Sequence, residues 1–235
     1  MNRESAVPIK ARAWVAAFAP AVVYNLLSAV LFPVVFGLVG PADPRTQTAV
    51  FLGAILAVEL MVLDLLLLRL QLAGRSPADL GWGRPTSGFA VAAGILIAVI
   101  YSAVTLSSPL FGSHAAELSL FKVWGAFVGV VGSLVEELVF RGFVMTELED
   151  AGVAPAAQTV VPGLSFSLIH GGYNVLRGRF ALLPGLGFTF VLGLALAWVY
   201  LAGRRSLTGP VLAHGLINLL IEPWLMLGFV TLRAF

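Results

Sequence analysis

A cluster of three charged side chains lies within a long apolar stretch in the second half of the chain. They are Glu136, Glu137 and Arg141, and the apolar run around them extends from 121 to 144. Each charge at the centre of a membrane costs roughly 2.5–3.5 kcal/mol on insertion scales, so such a cluster is retained when it is paired, hydrated or used. The cluster is therefore the first candidate for a functional site.

Helical spacing separates the roles of the two glutamates. Glu137 and Arg141 are four residues apart on one face, with the acid on the N-terminal side, which favours an ion pair. Glu136 lies about 100° around the helix and has Phe140 as its own neighbour four residues on. An unpaired carboxylate in a low-dielectric bundle is a candidate general base. The structural alternative is an ion network that only holds helices together.

Two histidines and an asparagine lie in later apolar segments and can face this cluster. His170 ends the segment Phe166–His170, and His214 and Asn218 share a helical face at a spacing of four. His114 lies in a polar connector, where we expect it to be solvated. A single intramembrane histidine is more often a packing residue, but two of them, with an asparagine and two glutamates, favour a catalytic site.

The chain lacks the motifs of three other kinds of intramembrane protease. A zinc protease needs His-Glu-x-x-His on a helix, and no histidine has that spacing. Gly163-Leu164-Ser165 is followed by Phe166 in place of the glycine of a rhomboid-like nucleophile, and no presenilin-like Gly-x-Gly-Asp is present. The absence of cysteine excludes thiolate metal sites and cysteine nucleophiles. Glutamate, histidine and asparagine remain as the candidate reactive groups.

Composition predicts an all-α integral membrane protein. Of the 235 residues, 59% are hydrophobic and 11% charged, and the mean hydropathy is +0.97, whereas soluble proteins have about 25% charged residues. Because a span needs about 20 apolar residues, we expect one polytopic bundle of about seven to eight helices. It forms a single domain over 1–235, with a core at 120–220 that carries the polar motifs. The predicted spans are 13–39, 47–71, 87–111, 119–146, 156–171, 183–202 and 207–222. The tail 223–235 either continues the last span or begins an eighth.

The positions of the basic residues predict the orientation in the membrane. Most of them lie at segment ends on the same side as the N-terminus, which favours a cytoplasmic N-terminus, although Arg177 and Arg179 argue the other way. The first apolar run continues to about Leu38, which is too long for a cleaved signal peptide. We expect a multi-pass protein of a prokaryotic inner membrane. The scattered arginines give no indication of nucleic-acid binding.

Two further features are interpreted as structural. Gly125, Gly129 and Gly132 are spaced so that another helix backbone can approach closely. Glu59 and Asp64 lie in the second predicted span and have no histidine or asparagine in their helix. A proton or ion path is the alternative for these two acids.

The polar groups occur in the order of a known family pattern. That pattern is Glu-Glu-x-x-x-Arg, then Phe-x-x-x-His, then His-x-x-x-Asn or Asp. In these motifs the chain resembles the CAAX protease and bacteriocin-processing (CPBP) family, also called the ABI family. The connector 79–85 also resembles a family segment. The matching residues are Glu136-Glu137…Arg141, Phe166…His170 and His214…Asn218.

The resemblance implies a membrane-embedded endopeptidase with a site that opens toward the cytoplasm. Glu136 would be the general base and would activate a water together with His170. His214 and Asn218 would form an oxyanion hole that donates hydrogen bonds to the tetrahedral intermediate. The expected substrate is a prenylated or hydrophobic peptide or protein at the membrane, and prenylated CAAX tails are the best-known substrates of the family.

The same resemblance bears on the remaining motif residues and on a cofactor. Glu137 and Arg141 would orient Glu136. Family members are often described as metalloproteases, and zinc held by Glu136, His170 and His214 is one alternative. No closed ligand set is evident in the sequence, so we expect water activation without a metal.

The sequence is also compatible with two other functions. One is a non-catalytic immunity or scaffold protein that keeps the fold. The other is a transporter that uses Glu59, Asp64 and Glu136 as a proton relay, although no inverted repeat is evident. Loss of peptide cleavage on replacing Glu136 or His170 distinguishes a protease from both.

Overall fold

The fold is helical throughout the part of the chain that the structure describes. This computed structural model describes residues 9–40, 42–112, 116–171 and 183–231, so His114, Arg177 and Arg179 lie outside it. It has 85% helix and no strand in these residues, which confirms the predicted class. The long helices are α1 (Ile9–Val39), α2 (Pro44–Leu72), α3 (Gly88–Leu106), α4 (Leu120–Asp150), α5 (Pro155–Ile169), α6 (Leu183–Ala202) and α7 (Thr208–Thr231).

Six of these helices, all except α5, are long and apolar enough to cross a membrane. α5 has 15 residues, so it extends about 22 Å against a hydrocarbon core of about 30 Å. The segment predicted as a span over 156–171 therefore forms a helix, but one too short to be a full span. Six apolar helices make the chain an integral multi-pass membrane protein.

Three helices end four or more residues away from the predicted C-terminal position. α3 ends at Leu106 and not at 111, since Pro109 disfavours helical backbone in the residue before it and begins a separate short turn. α4 continues beyond 146 to Asp150. α7 passes through Pro223 and continues to Thr231, because neighbouring groups in a bundle can satisfy the carbonyl that a proline frees. The described part of the tail therefore extends the seventh helix.

α4 is the central helix of the bundle. It packs against α1, α2, α5 and α7. Of its apolar stretch 67% is buried inside the protein, compared with 11% for α1. The buried side chains of Glu136, Glu137 and Arg141 on α4 are therefore shielded from lipid and meet side chains from several other helices.

Glycines on α4 allow the backbone of α7 to approach closely. A Cβ added to Gly129 would lie 2.9 Å from the Cβ atoms of Asn218 and Glu222, and one added to Gly125 would lie 2.9 Å from Pro223. Carbon atoms in van der Waals contact are about 3.5–4.0 Å apart. The predicted tight packing is confirmed for these two glycines, and it places the third motif against the α4 backbone.

A π-helical turn over Leu138–Val144 directly follows the two glutamates. Such turns are rare and are frequent at functional sites. This one carries Arg141 and faces α1, α5 and α6. A regular helical period does not predict it.

The connector between α2 and α3 holds the turn between α6 and α7. The Tyr200 hydroxyl donates to the Leu80 carbonyl at 3.1 Å, and the Leu207 N–H donates to the Gly81 carbonyl at 3.2 Å. Gly81 has a φ of 96°, and a Cβ there would lie 2.1 Å from the Arg205 carbonyl oxygen. Only glycine fits this position. The connector thereby fixes the start of the helix that carries the third motif.

Candidate active site

Three segments bring their motif residues to one point beside the central helix. Glu136 comes from α4, His170 directly follows α5, and His214 lies on α7. The Nε2 atoms of His214 and His170 lie 3.8 Å and 4.0 Å from the same carboxylate oxygen, Oε2 of Glu136. Residues that are distant in sequence therefore form one cluster.

Glu137 orients His214. The Nδ1 atom of His214 donates a hydrogen bond to Oε1 of Glu137 at 2.9 Å, and the other ring nitrogen faces Glu136. The partner of one ring nitrogen sets the proton position and orientation of the whole ring. The resemblance implied that Glu137 orients Glu136; in the structure Glu137 accepts hydrogen bonds from His214 and Arg141.

His170 is oriented by the backbone of its own helix. Its Nδ1 atom lies 2.9 Å from the Phe166 carbonyl oxygen, and because a carbonyl only accepts, Nδ1 carries the proton. In the neutral ring Nε2 is then an acceptor that faces Glu136. The His170 side chain is 31% exposed, compared with 3% for His214. The cluster is therefore accessible from the side of His170.

Glu137 and Arg141 form the ion pair that their spacing predicts. Nη1 of Arg141 lies 3.0 Å from Oε1 of Glu137, and both side chains are completely buried. Nη2 donates to the Gly193 carbonyl at 3.1 Å, and the guanidinium lies 4.5 Å from the centre of the Phe166 ring. The arginine therefore joins α4 to α5 and α6 and compensates the charge of the carboxylate that orients His214.

Glu136 is buried, but one of its oxygens is left for a further ligand. Within the described ranges, Oε2 has no hydrogen-bond partner, and both imidazoles are beyond the usual limit of about 3.2 Å. A water molecule bridges polar atoms at such separations. The arrangement can therefore hold a water between a carboxylate and two imidazoles.

Asn218 lies one helical turn beyond His214 on α7, as predicted. Its side-chain nitrogen donates to the Gly129 carbonyl on α4 at 2.9 Å. An amide nitrogen carries two N–H groups, so the second remains for another acceptor. The contact to Gly129 fixes the side chain in place beside α4.

Tyr24, Glu59 and Glu222 also lie close to Glu136, and no motif marks them. The Tyr24 hydroxyl on α1 donates to Oε2 of Glu59 on α2 at 2.6 Å. Glu59 is within hydrogen-bonding reach of Glu136, and Glu222 packs against Gly129. The only sign of this group in the sequence is an acidic residue within an apolar segment, because the residues that these side chains contact lie on other helices. Asp64, in contrast, is exposed on α2.

The oxygen and nitrogen atoms around Glu136 are of the types that bind zinc, but they lie too far apart for one zinc ion. A tetrahedral zinc ion with ligands at about 2.0–2.2 Å needs them about 3.3–3.5 Å from one another, and the closest imidazole nitrogens lie 3.8 Å and 4.0 Å from the carboxylate. Among the described residues, no group of three His, Cys, Asp or Glu side chains is arranged to hold a metal ion.

An apolar groove of about 830 Å³ lies between α1, α2 and α4. The residues at its inner end are Val23, Val62 and Val139. These valines lie within one helical turn of Tyr24, Glu59 and Glu136, respectively. The opposite end carries Arg12 and Arg69. The groove can therefore receive an apolar group within about one helical turn of the cluster.

Comparison with known proteins gives one match. Residues 118–220, which contain all three motifs, match the family model of Rce1-like type II CAAX prenyl endopeptidases. The searches of curated proteins and of solved structures found no match. The match confirms the resemblance that the motifs predicted. Over these residues the chain is therefore similar to the CAAX protease family.

Proposed function

We propose that the chain hydrolyses a peptide bond within the membrane with a water activated by Glu136 and His170. The family match and the apolar helices support a CAAX-type intramembrane endopeptidase. The observation that carries the finer proposal is the convergence of two imidazole Nε2 atoms on one oxygen of Glu136. That oxygen has no hydrogen-bond partner among the described residues.

The first step is attack by water on the scissile carbonyl. A water in the gap donates one hydrogen bond to Oε2 of Glu136 and the other to Nε2 of His170. Glu136 takes a proton as the water oxygen bonds to the carbonyl carbon, which gives a tetrahedral intermediate with a negative oxygen. General-base action of this kind contributes about 10²–10⁴-fold.

His214 and Asn218 stabilise the negative oxygen in this proposal. An imidazolium donates from both nitrogens, and the Glu137 carboxylate on Nδ1 compensates its charge, so Nε2 of His214 can act as a donor. The second N–H of Asn218 supplies another donor. Glu136 then gives its proton to the peptide nitrogen as the C–N bond breaks, which restores the carboxylate.

The test uses purified protein in liposomes with a membrane-anchored reporter peptide. Glu136→Gln and His170→Ala should each reduce cleavage by at least about 100-fold, because each removes a group that acts on the water. Thermal unfolding checks that both variants still fold. Asp64→Asn, which removes an exposed acid from α2, is the matched control and should cleave normally. Full activity of Glu136→Gln would contradict the proposal.

The same assay separates the protease from the other two functions. A non-catalytic immunity or scaffold protein would leave the reporter intact in every variant. A transporter would move protons across the liposome membrane without releasing a peptide. Identification of the cleaved fragments by mass spectrometry distinguishes these outcomes.

Independence from a metal is part of this proposal. Dialysis against a chelator should leave the cleavage rate of the wild-type protein unchanged. If cleavage is lost on dialysis and returns when zinc is added, water activation by the side chains alone is wrong. The reaction would then be zinc-assisted, with Glu136, His170 and His214 as the available ligands.

The substrate we propose is a peptide with a prenyl or other hydrophobic group. The apolar groove between α1, α2 and α4, whose lining includes Val139 one helical turn from Glu136, supports it. We also propose a prokaryotic inner-membrane location with a cytoplasmic N-terminus, so that Arg12 and Arg69 lie on the cytoplasmic side. Because the chain has no cysteine, labelling of single cysteines introduced at Arg12 and Arg45 checks this orientation.

A further inference from the structure

One stripe of α4 faces the first two helices. Gly132, Glu136 and Phe140 follow one another at intervals of four residues. A Cβ added to Gly132 would lie 3.8 Å from Cδ and Oε1 of Glu59 on α2. The Phe140 ring stacks on Tyr24 of α1, with ring centres 6.4 Å apart and planes 23° apart. Glu59 therefore contacts the stripe on the Gly132 side of Glu136, and Tyr24 contacts it on the Phe140 side.

Glu59 is held with one oxygen toward α1 and the other toward α4. Its Oε2 accepts from the Tyr24 hydroxyl at 2.6 Å, and Oε1 lies over the space that Gly132 leaves open. The residue is 3% exposed and lies within hydrogen-bonding reach of Glu136. A hydrogen bond between two carboxyl groups requires a proton on one of them. If Glu136 is the base, the proton is on Glu59.

We propose that Glu59, protonated and held by Tyr24, is a positioning residue for Glu136. It donates a hydrogen bond to one carboxylate oxygen of Glu136 and thereby directs the other, Oε2, at the two histidines and the water between them. This inference rests on the proposed function, since it assigns the carboxylate of Glu136 the role of base. It also extends the site beyond the three motifs to α1 and α2.

A purely structural role for Glu59 makes a different prediction. A buried polar group that is replaced by an apolar one of similar volume often leaves a protein equally or more stable. If Glu59 positions Glu136, Glu59→Leu should lower activity while stability stays the same or increases. If Glu59 only holds helices together, activity should fall only as far as stability does.

The experiment compares three variants in the liposome cleavage assay. Glu59→Gln keeps a donor for Glu136 and an acceptor for Tyr24, so kcat should stay within about 3-fold of the wild type. Glu59→Leu removes both and should lower kcat about 100-fold with KM unchanged, as expected when a reacting group is misplaced. Tyr24→Phe keeps the ring against Phe140 but removes the hydroxyl, and should lower kcat about 10-fold, a smaller displacement of the same group.

Asp64→Asn is the control for loss of an acid from α2, and the unfolding temperature is measured for every variant. Wild-type kcat in Glu59→Leu would overturn the inference, as would a loss of kcat that only follows a loss of folded protein. An inactive Glu59→Gln would overturn the neutral-donor role. If Glu59→Leu does not fold, Tyr24→Phe decides, and an unchanged kcat in that variant overturns the inference.

Glu136→Gln, measured in the same assay, separates this inference from the proposed function. If Glu136→Gln is inactive while Glu59→Leu and Tyr24→Phe are fully active, the inference alone fails. If Glu136→Gln itself cleaves the reporter, the proposed function fails and the inference fails with it.

Discussion

The core helices α4 and α7 and the first two helices differ in how they satisfy their buried polar groups. In the core, the charges of Glu137 and Arg141 compensate each other, and Glu137 also binds His214. In the first two helices, the buried Glu59 is held by a neutral donor, Tyr24. Removing one member of a compensated pair leaves a buried charge, whereas removing a neutral hydrogen bond does not. Core substitutions should therefore lower stability and activity together, and those on α1 and α2 should change activity alone.

Arg141→Met should have the largest effect on stability. It leaves the completely buried Glu137 without its cationic partner, which should lower the free energy of unfolding by about 3–5 kcal/mol. Cleavage should fall with it, because the carboxylate that orients His214 is no longer held. Denaturant titration of the reconstituted protein measures the first effect, and the initial cleavage rate measures the second.

The double variant Glu137→Gln/Arg141→Met is the matched control. It removes both charges, so most of the lost stability should return. Activity should not return, because His214 lacks its carboxylate partner. A single Arg141→Met variant as stable as the wild type would show that the pair is not compensating a buried charge. A fully active double variant would exclude orientation of His214 by Glu137.

Gly129→Ala should have an intermediate effect. Its Cβ would lie 2.9 Å from Asn218 and Glu222 and would push α7 away from α4, at a cost of about 1–3 kcal/mol. Because α7 carries His214, kcat should fall as well. Gly132→Ala is the paired control on the side that faces α2, where the nearest atom is at an ordinary contact distance of 3.7 Å. Equal losses in the two variants would show that the approach of α7 is not the limiting contact.

The contrast between the two regions also explains what the sequence could predict. The Glu137–Arg141 pair follows from residues four apart on one helix, and the helices themselves follow from hydropathy. The contact of Tyr24 and Glu59 with Glu136 depends on how three helices pack, and no local period encodes it. The π turn at Leu138–Val144, which carries the buried Arg141, is likewise not encoded in a regular helical period.

Similarly, the continuation of α7 through Pro223 depends on its neighbours. Proline alone predicts a kink or an end. In the structure Pro223 packs against Gly125 of α4, where the absence of a side chain leaves room for the ring. Local propensity is thus overridden by packing between helices.

Ala16→Phe should have the smallest effect, and it tests whether α1 and α2 also hold the substrate. Ala16 lines the apolar groove, and a phenyl ring there would displace one or two methylene groups of a bound hydrophobic chain. At about 0.8 kcal/mol for each methylene group, KM should rise about 4- to 15-fold. The value of kcat should not change, because none of the reacting groups lines the groove.

Val22→Phe is the matched control for this variant. Val22 is on the same helix, is 56% exposed and does not line the groove, so the same added ring should leave KM unchanged. A reporter peptide without its hydrophobic group should be cleaved equally by Ala16→Phe and the wild type, since it gains nothing from the groove. A lower kcat in Ala16→Phe at constant KM would contradict a role of the groove in substrate binding. It would show instead that the residues of the groove help Tyr24 and Glu59 to position Glu136.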